Sequence, residues 1–198
     1  ISILSINGRH SHRLSPLIEK LCLPTLVIAD LDTAEKEGHH KAVCPERKKG
    51  LISSNYTITG WIIGEKDLDK LLDIPADQKE IVKQGVCKYS IRIAYQTPVK
   101  IDYNGAEVEA LASTFEDCLV YTNLQLFENI SVDDTGSLIK NVSDKIKSAS
   151  SFEEFHQGVY DVLRNGRSDQ KAEFALDLIY AVDPSELSVP VYIDEGLA

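Results

Sequence analysis

The sequence predicts an α/β fold with a mainly parallel sheet flanked by helices. Three observations lead there. Thr25-Leu26-Val27-Ile28-Ala29 is a nearly continuous apolar, partly β-branched run that ends in Asp30-Leu31-Asp32. A strand buried on both faces reads this way, and its carboxyl end is where α/β sheets carry their chemistry. The segment before it reads as strand, helix, strand, the unit that builds parallel sheets with right-handed crossovers. Tyr89-Ser90-Ile91-Arg92-Ile93-Ala94-Tyr95 alternates strictly enough to supply another strand.

The elements follow in order. Ile1-Ser2-Ile3-Leu4-Ser5-Ile6 alternates as a strand and Asn7-Gly8 ends it. Ser15-Pro16 opens a helix with proline in the first turn, and Leu17, Ile18, Leu21 and Leu23 give its apolar face. Residues 35–50 are polar and rich in Lys, His and Arg. Ser53-Ser54-Asn55 caps a short segment that runs to about Trp61. Residues 65–84 read as an inserted helical piece, one or two surface helices broken at Pro75. Residues 99–111 form a β-hairpin around Asn104-Gly105, a pair suited to a type I′ turn. Thr114-Phe115-Glu116-Asp117 opens a helix that continues through Phe127, with Thr114 and Asp117 as an acidic capping box. Residues 131–150 read as a lid or an irregular helix, residues 151–163 and 168–180 as helices, and residues 189–193 as a short extended segment.

Composition bounds the function. The chain has 198 residues, 43% of them hydrophobic, which is ordinary for a globular protein. A formal net charge of −10 argues against a large basic DNA-gripping surface. It does not exclude a nucleic-acid enzyme, because metal ligands contribute negative charge and a partner domain can supply the grip. Cys22, Cys44, Cys87 and Cys118 are scattered without a C-x-x-C pair, and read as reduced thiols of a cytoplasmic protein. No apolar run is long enough for a membrane span, and no signal-peptide pattern opens the chain. The chain starts at Ile1, within a strand pattern, and contains no methionine. That start reads as a fragment whose upstream part is missing.

The candidate chemistry centres on Asp30 and Asp32. In an extended segment, residues i and i+2 point to one side, so both carboxylates can face one pocket. Two carboxylates that close repel, and call for protons, Arg or Lys partners, or divalent cations. Spacing alone leaves a second reading open, in which Asp30 caps the next helix and Asp32 is solvated. His10 and His12 read as polar loop residues, and His39, His40 and Cys44 do not complete a familiar zinc spacing. Arg47-Lys48-Lys49 is the strongest basic cluster, able to touch a phosphate backbone or simply to be solvated.

Taken together, these segments resemble the Toprim domain of the OLD-family (overcoming lysogenisation defect) ATP-dependent endonucleases. The resemblance rests on Ile1-Ser2-Ile3-Leu4, the Asp30-Leu31-Asp32 strand, Ser53-Ser54-Asn55, Ala94-Tyr95-Gln96, Thr114-Phe115-Glu116-Asp117, Lys171-Ala172-Glu173-Phe174-Ala175-Leu176 and residues 189–197. It implies a single Toprim-type nuclease domain over residues 1–198, with an inserted helical piece at about 65–84. It implies DNA cleavage with Mg²⁺ or Mn²⁺, two ions in a complete site. It implies an ABC-type ATPase domain in the same parent chain, through which the protein forms a homo-oligomer, and a role in phage defence, as in the Gabija nuclease subunit, or in DNA processing. The family's core begins with a glutamate-bearing strand that nothing here matches. The chain is therefore expected to be truncated at its N-terminal strand, and weak in cleavage on its own.

The resemblance assigns Asp30 as the central metal ligand, Asp32 as ligand of the second ion, Glu116 as a further ligand with help from the Thr114 hydroxyl, and Lys171 as the cation that stabilises the transition-state phosphate. Asp and Glu are the hard oxygen donors such ions require. The plainer alternatives are a first-turn carboxylate favoured by the helix dipole for Glu116, an N-cap for Thr114, and an exposed lysine for Lys171. Two other functions fit the sequence. One is a haloacid-dehalogenase-type phosphatase with Asp30 as nucleophile, although Thr33 is three residues after it rather than four and only Asp133-Asp134 could supply the later acidic pair. The other is a Toprim-like assembly module without activity.

Overall fold

The computed structural model describes residues 2–6, 9–84, 86–131, 137–166 and 168–198. The chain divides into two units. The first comprises Ile1–Thr97 and Val191–Ala198, and the second Pro98–Pro190. The architecture is mixed α/β with a small mixed sheet.

The first unit is built on a three-stranded sheet of β1 (Thr25–Ile28), β5 (Tyr89–Ala94) and β4 (Glu80–Lys83), in the order β1-β5-β4. β1 pairs with β5 in parallel, with Ile28 opposite Ala94, and β4 pairs with β5 antiparallel. The sheet is thus mixed rather than mainly parallel. The reason is β4, which takes residues expected to be helical. Pro75 breaks the insert as its ring requires, after α2 (Leu68–Asp73), but the chain beyond adds Glu80–Lys83 to the edge of β5. The buried Ile91 and Ile93 of β5 form the centre of this core.

Residues 2–6 form no strand: Ile3 is 93% exposed. Alternation gives a strand only where a neighbour completes the ladder, and among the described residues none pairs with this stretch. Ile1 and the Asn7-Gly8 turn lie outside the described residues. The helix at Ser15-Pro16 is α1 (Ser15–Leu21), with Ile18 buried. Past β1, two-residue strands β2 (Thr33–Ala34) and β3 (Ile52–Ser53) pair antiparallel and fold the polar stretch between them back as a loop. Arg47 pairs with Asp73 at 3.1 Å and Lys49 with Glu46 at 3.2 Å, so these two members of the basic cluster are engaged with the chain's own acids. A π-helical turn (Thr57–Ile62) follows, led by the Asn55 cap expected from the sequence, whose Oδ1 accepts from Thr57 N–H at 3.0 Å.

Of residues 189–193, expected to be extended, the last three open a helix, α8 (Val191–Leu197), that packs on β1 and β5. Burial of Tyr192 and the close approach of Gly196 override the β-branched character of Val191 and Ile193. A Cβ on Gly196 would lie 2.9 Å from that of Ala94.

The reading of four reduced thiols is corrected. Cys22 and Cys87 form a disulfide with their Cα atoms 6.2 Å apart, while Cys44 and Cys118 remain thiols. A sequence separation of 65 residues hid the pairing. The cysteines therefore give no argument for a reducing compartment.

The second unit opens with the expected hairpin, β6 (Val99–Tyr103) and β7 (Ala106–Ala110), with Asn104 and Gly105 both at positive φ. Among the described residues it continues through the α-helices α3 (Phe115–Thr122), α4 (Leu124–Asn129), α5 (Leu138–Ser148), α6 (Phe152–Asn165) and α7 (Ser168–Ala181). Asn123 separates α3 from α4, its amide spent on Leu119 O and on Ser188. Within residues 131–150, α5 is a regular helix. Its apolar positions Leu138, Ile139, Val142 and Ile146 form a narrow stripe that is fully buried, in a segment otherwise polar. Phe127 and Phe174 stack at 6.0 Å and bind α4 to α7. Among the described residues no helix is long and apolar enough to cross a membrane.

Candidate functional site

Asp30 and Asp32 lie just past β1, in the irregular link from β1 to β2, here termed the acidic turn. The extended path does not continue through them: Asp32 has a φ of +50°, a left-handed value that Asp tolerates better than most residues. The two carboxylates are presented by a turn rather than by strand alternation. Both side chains are half-buried.

Two buried amides pin this turn. Asn55, 0% exposed, donates from Nδ2 to Asp30 O at 2.8 Å and to Asp32 Oδ2 at 3.4 Å. Gln96, also 0% exposed, accepts from Leu31 N–H at 2.8 Å and donates to Asp30 Oδ1 at 2.9 Å. Serines complete the clamp. Ser53 Oγ donates to Leu31 O at 2.6 Å, and Ser54 Oγ to Asp32 O at 2.9 Å. Arg9 reaches in from the N-terminal loop, its Nε 3.0 Å from Asp32 Oδ2 and its Nη2 3.2 Å from Ser54 Oγ.

The second unit presents Glu116 and Lys171. β7 leads through the buried Ala112 and Ser113 into the α3 N-terminus. The box there is made by Asp117, which accepts from Thr114 N–H at 2.8 Å and Ser113 N–H at 2.9 Å; the Thr114 hydroxyl lies 3.2 Å from its Oδ1. With Asp117 buried beneath the turn, Glu116 is turned outward and meets Lys171 of α7, Nζ to Oε1 3.0 Å. Burial is the largest influence on the Glu116 carboxyl and opposes its ionisation. The combined pull of Lys171, the backbone N–H and the Thr114 hydroxyl outweighs it and holds the carboxyl below its usual range. Lys171 sits near the start of α7, where the helix dipole disfavours a cation; the pair with Glu116 offsets that.

The expected residues thus resolve into two groups, Asp30 with Asp32 in the first unit and Glu116 with Lys171 and Thr114 in the second. Among the described residues, no three His, Cys, Asp or Glu side chains are placed to hold one metal ion, and this includes His39, His40 and Cys44. The donor chemistry of the acidic turn still fits Mg²⁺ or Mn²⁺, which are often held by one or two carboxylates with the remaining positions left to water or phosphate. Asp133-Asp134, the acidic pair a phosphatase would need, lie outside the described residues.

Pattern and spacing give Arg9, Gln96 and Tyr192 no part in the site, and give Asn55 only a capping role. Two were within reach. Ser53-Ser54-Asn55 and Ala94-Tyr95-Gln96 were already part of the family resemblance, and both converge on the Asp30 turn.

Fold and site together define a mixed α/β protein with an acidic turn at the carboxyl end of a parallel strand. No family model matches the chain, and no solved structure matches it. Among curated proteins the chain is similar to Endonuclease GajA of Bacillus cereus (strain HuB5-5), with 25% identity over 203 residues. The alignment takes in 100% of this chain and 26% of that protein, so the chain spans about a quarter of the length of the relative it matches.

Proposed function

We propose that this chain carries the phosphodiester-cleaving site of a DNA endonuclease of the OLD type, dependent on Mg²⁺ or Mn²⁺. The observation that carries the reading is the acidic turn itself: two half-buried carboxylates at the end of a parallel strand, fixed by the buried amides of Asn55 and Gln96. Similarity over the whole chain to a protein named an endonuclease supports the same class.

Asp30 and Asp32 are the residues that would hold the metal; Glu116 as a further ligand, and a second ion in the complete site, are what the family resemblance adds. A bound divalent cation supplies charge stabilisation at the phosphate and lowers the pKa of a bound water. The chain's own contribution is positional. Asn55 and Gln96 orient the acidic turn, and Lys171 keeps Glu116 ionised while presenting an ammonium for phosphate charge. Thr114 is assigned to the α3 N-terminus, with metal ligation a secondary role. An ABC-type ATPase domain in the parent chain, homo-oligomerisation through it and a role in phage defence belong to the same proposal and rest on the family resemblance.

Nicking of supercoiled plasmid in Mn²⁺ or Mg²⁺ tests it. Asp30→Ala, Glu116→Ala and Lys171→Ala are each expected to lose at least about a hundredfold in rate, the scale of removing one stabilising group. Nicking by Asp30→Ala at the unmodified rate would sink the assignment. Trapping of an aspartyl-phosphate at Asp30 would replace it with the phosphatase reading.

A further inference from the structure

The register of β1 on β5 places Ile28 opposite Ala94, and just past this pair the Gln96 side chain meets Asp30. Gln96 is 0% exposed, and its amide is committed at both ends. Its oxygen takes the Leu31 N–H at 2.8 Å, which fixes which end of the amide is which. Its nitrogen donates to Asp30 Oδ1 at 2.9 Å and to the Tyr192 hydroxyl at 3.3 Å. Tyr192 belongs to α8, which Arg92 also holds by donating to Glu195 O at 3.1 Å.

Only a side chain with both an acceptor and a donor can serve this place. A carboxylate there would face Asp30 with like charge, and a lysine could not accept from Leu31 N–H. We infer that Gln96 is the positioning residue of the acidic turn: it sets the direction of the Asp30 carboxylate and couples it, through Tyr192, to the seating of α8. The inference rests on the reading of Asp30 as a metal ligand. In the interior, an amide bonded at both ends is a rigid reference, and the carboxylate hung from it loses rotamer freedom before any cation arrives. Outer partners of this kind typically set metal affinity by about 10–100-fold.

The test combines metal affinity with a spectroscopic readout. Mn²⁺ affinity, measured by electron paramagnetic resonance on the chain, is expected to weaken by about tenfold or more in Gln96→Leu. The comparison is made at a temperature where circular dichroism shows both proteins folded. In the unmodified chain, the Gln96 side-chain amide signals are expected to shift as Mg²⁺ is added, a measurement that needs no variant to fold. A Gln96→Leu protein that binds Mn²⁺ as the parent does, while Asp30→Ala loses it, would overturn the positioning role alone. Gln96 amide signals that stay fixed while the Leu31 backbone amide shifts would do the same. Undiminished Mn²⁺ binding by Asp30→Ala would instead bring down the metal reading on which it stands.

Discussion

Replacing Lys171 with methionine isolates what the Glu116 pair contributes. The methionine keeps most of the side-chain volume and removes the ammonium 3.0 Å from Glu116 Oε1. Glu116 is 18% exposed and Lys171 32%, so the pair lies between an exposed ion pair and a buried one. A hydrogen bond to a charged group contributes about 1.5–3 kcal/mol, and partial exposure reduces this to an expected loss of about 1–2 kcal/mol at pH 7. The sign with pH follows from the depressed folded-state pKa of Glu116. A depressed carboxyl stabilises the fold above its ordinary value of 4.5, and that contribution fades as pH falls through the lower folded value. Urea unfolding should therefore show the two proteins differing at pH 7 and converging at low pH. Without Lys171, the burial that opposes ionisation is less offset, so Glu116 should titrate higher in the variant by carbon-13 NMR. An equal stability loss at both pH values, or an unmoved Glu116 titration, would refute the reasoning.

Three further outcomes follow from the same geometry. Gly196→Ala places a Cβ 2.9 Å from Ala94 and 3.2 Å from Leu26 Cδ1, and should cost about 1–3 kcal/mol by lifting α8 from the sheet, read as a lower urea midpoint. Arg9→Ala removes the guanidinium held 3.0 Å from Asp32 Oδ2; an exposed pair contributes up to about 1 kcal/mol, so Mn²⁺ should bind up to about fivefold more tightly by calorimetry. Alkylation of the unreduced, denatured chain should modify Cys44 and Cys118 but spare Cys22 and Cys87, and reduction should lower stability by about 2–4 kcal/mol in urea unfolding.

Much of the scaffold was legible because it is local. The alternation of residues 89–95, the Asn104-Gly105 turn and the Thr114/Asp117 box each carry their own geometry, and each forms as expected. The failures were non-local. Residues 80–83 carry a pattern that suits a helix or a strand, and only the free edge of β5 decides it. Residues 2–6 alternate as a strand but have no neighbour to pair with among those described. α8 is helical against the β-branched character of its sequence because Tyr192 and Gly196 dock on β1 and β5. In the candidate site, Asp30 and Asp32 could be picked out, but not the left-handed turn that presents them. Nor could Gln96 be assigned its part, since an uncharged amide at the end of a strand carries no signal until the fold brings it to Asp30.

If the proposed function holds, a divalent cation binds at the turn carrying Asp30 and Asp32. Substoichiometric Mn²⁺ added to the nitrogen-15-labelled chain tests this by paramagnetic broadening. The backbone amides of Leu31 and Asp32 and the side-chain amides of Asn55 and Gln96 are expected to broaden first, and Asp30→Ala to abolish the effect. Broadening centred elsewhere, at His39 and His40 for instance, or unchanged in Asp30→Ala, would contradict it.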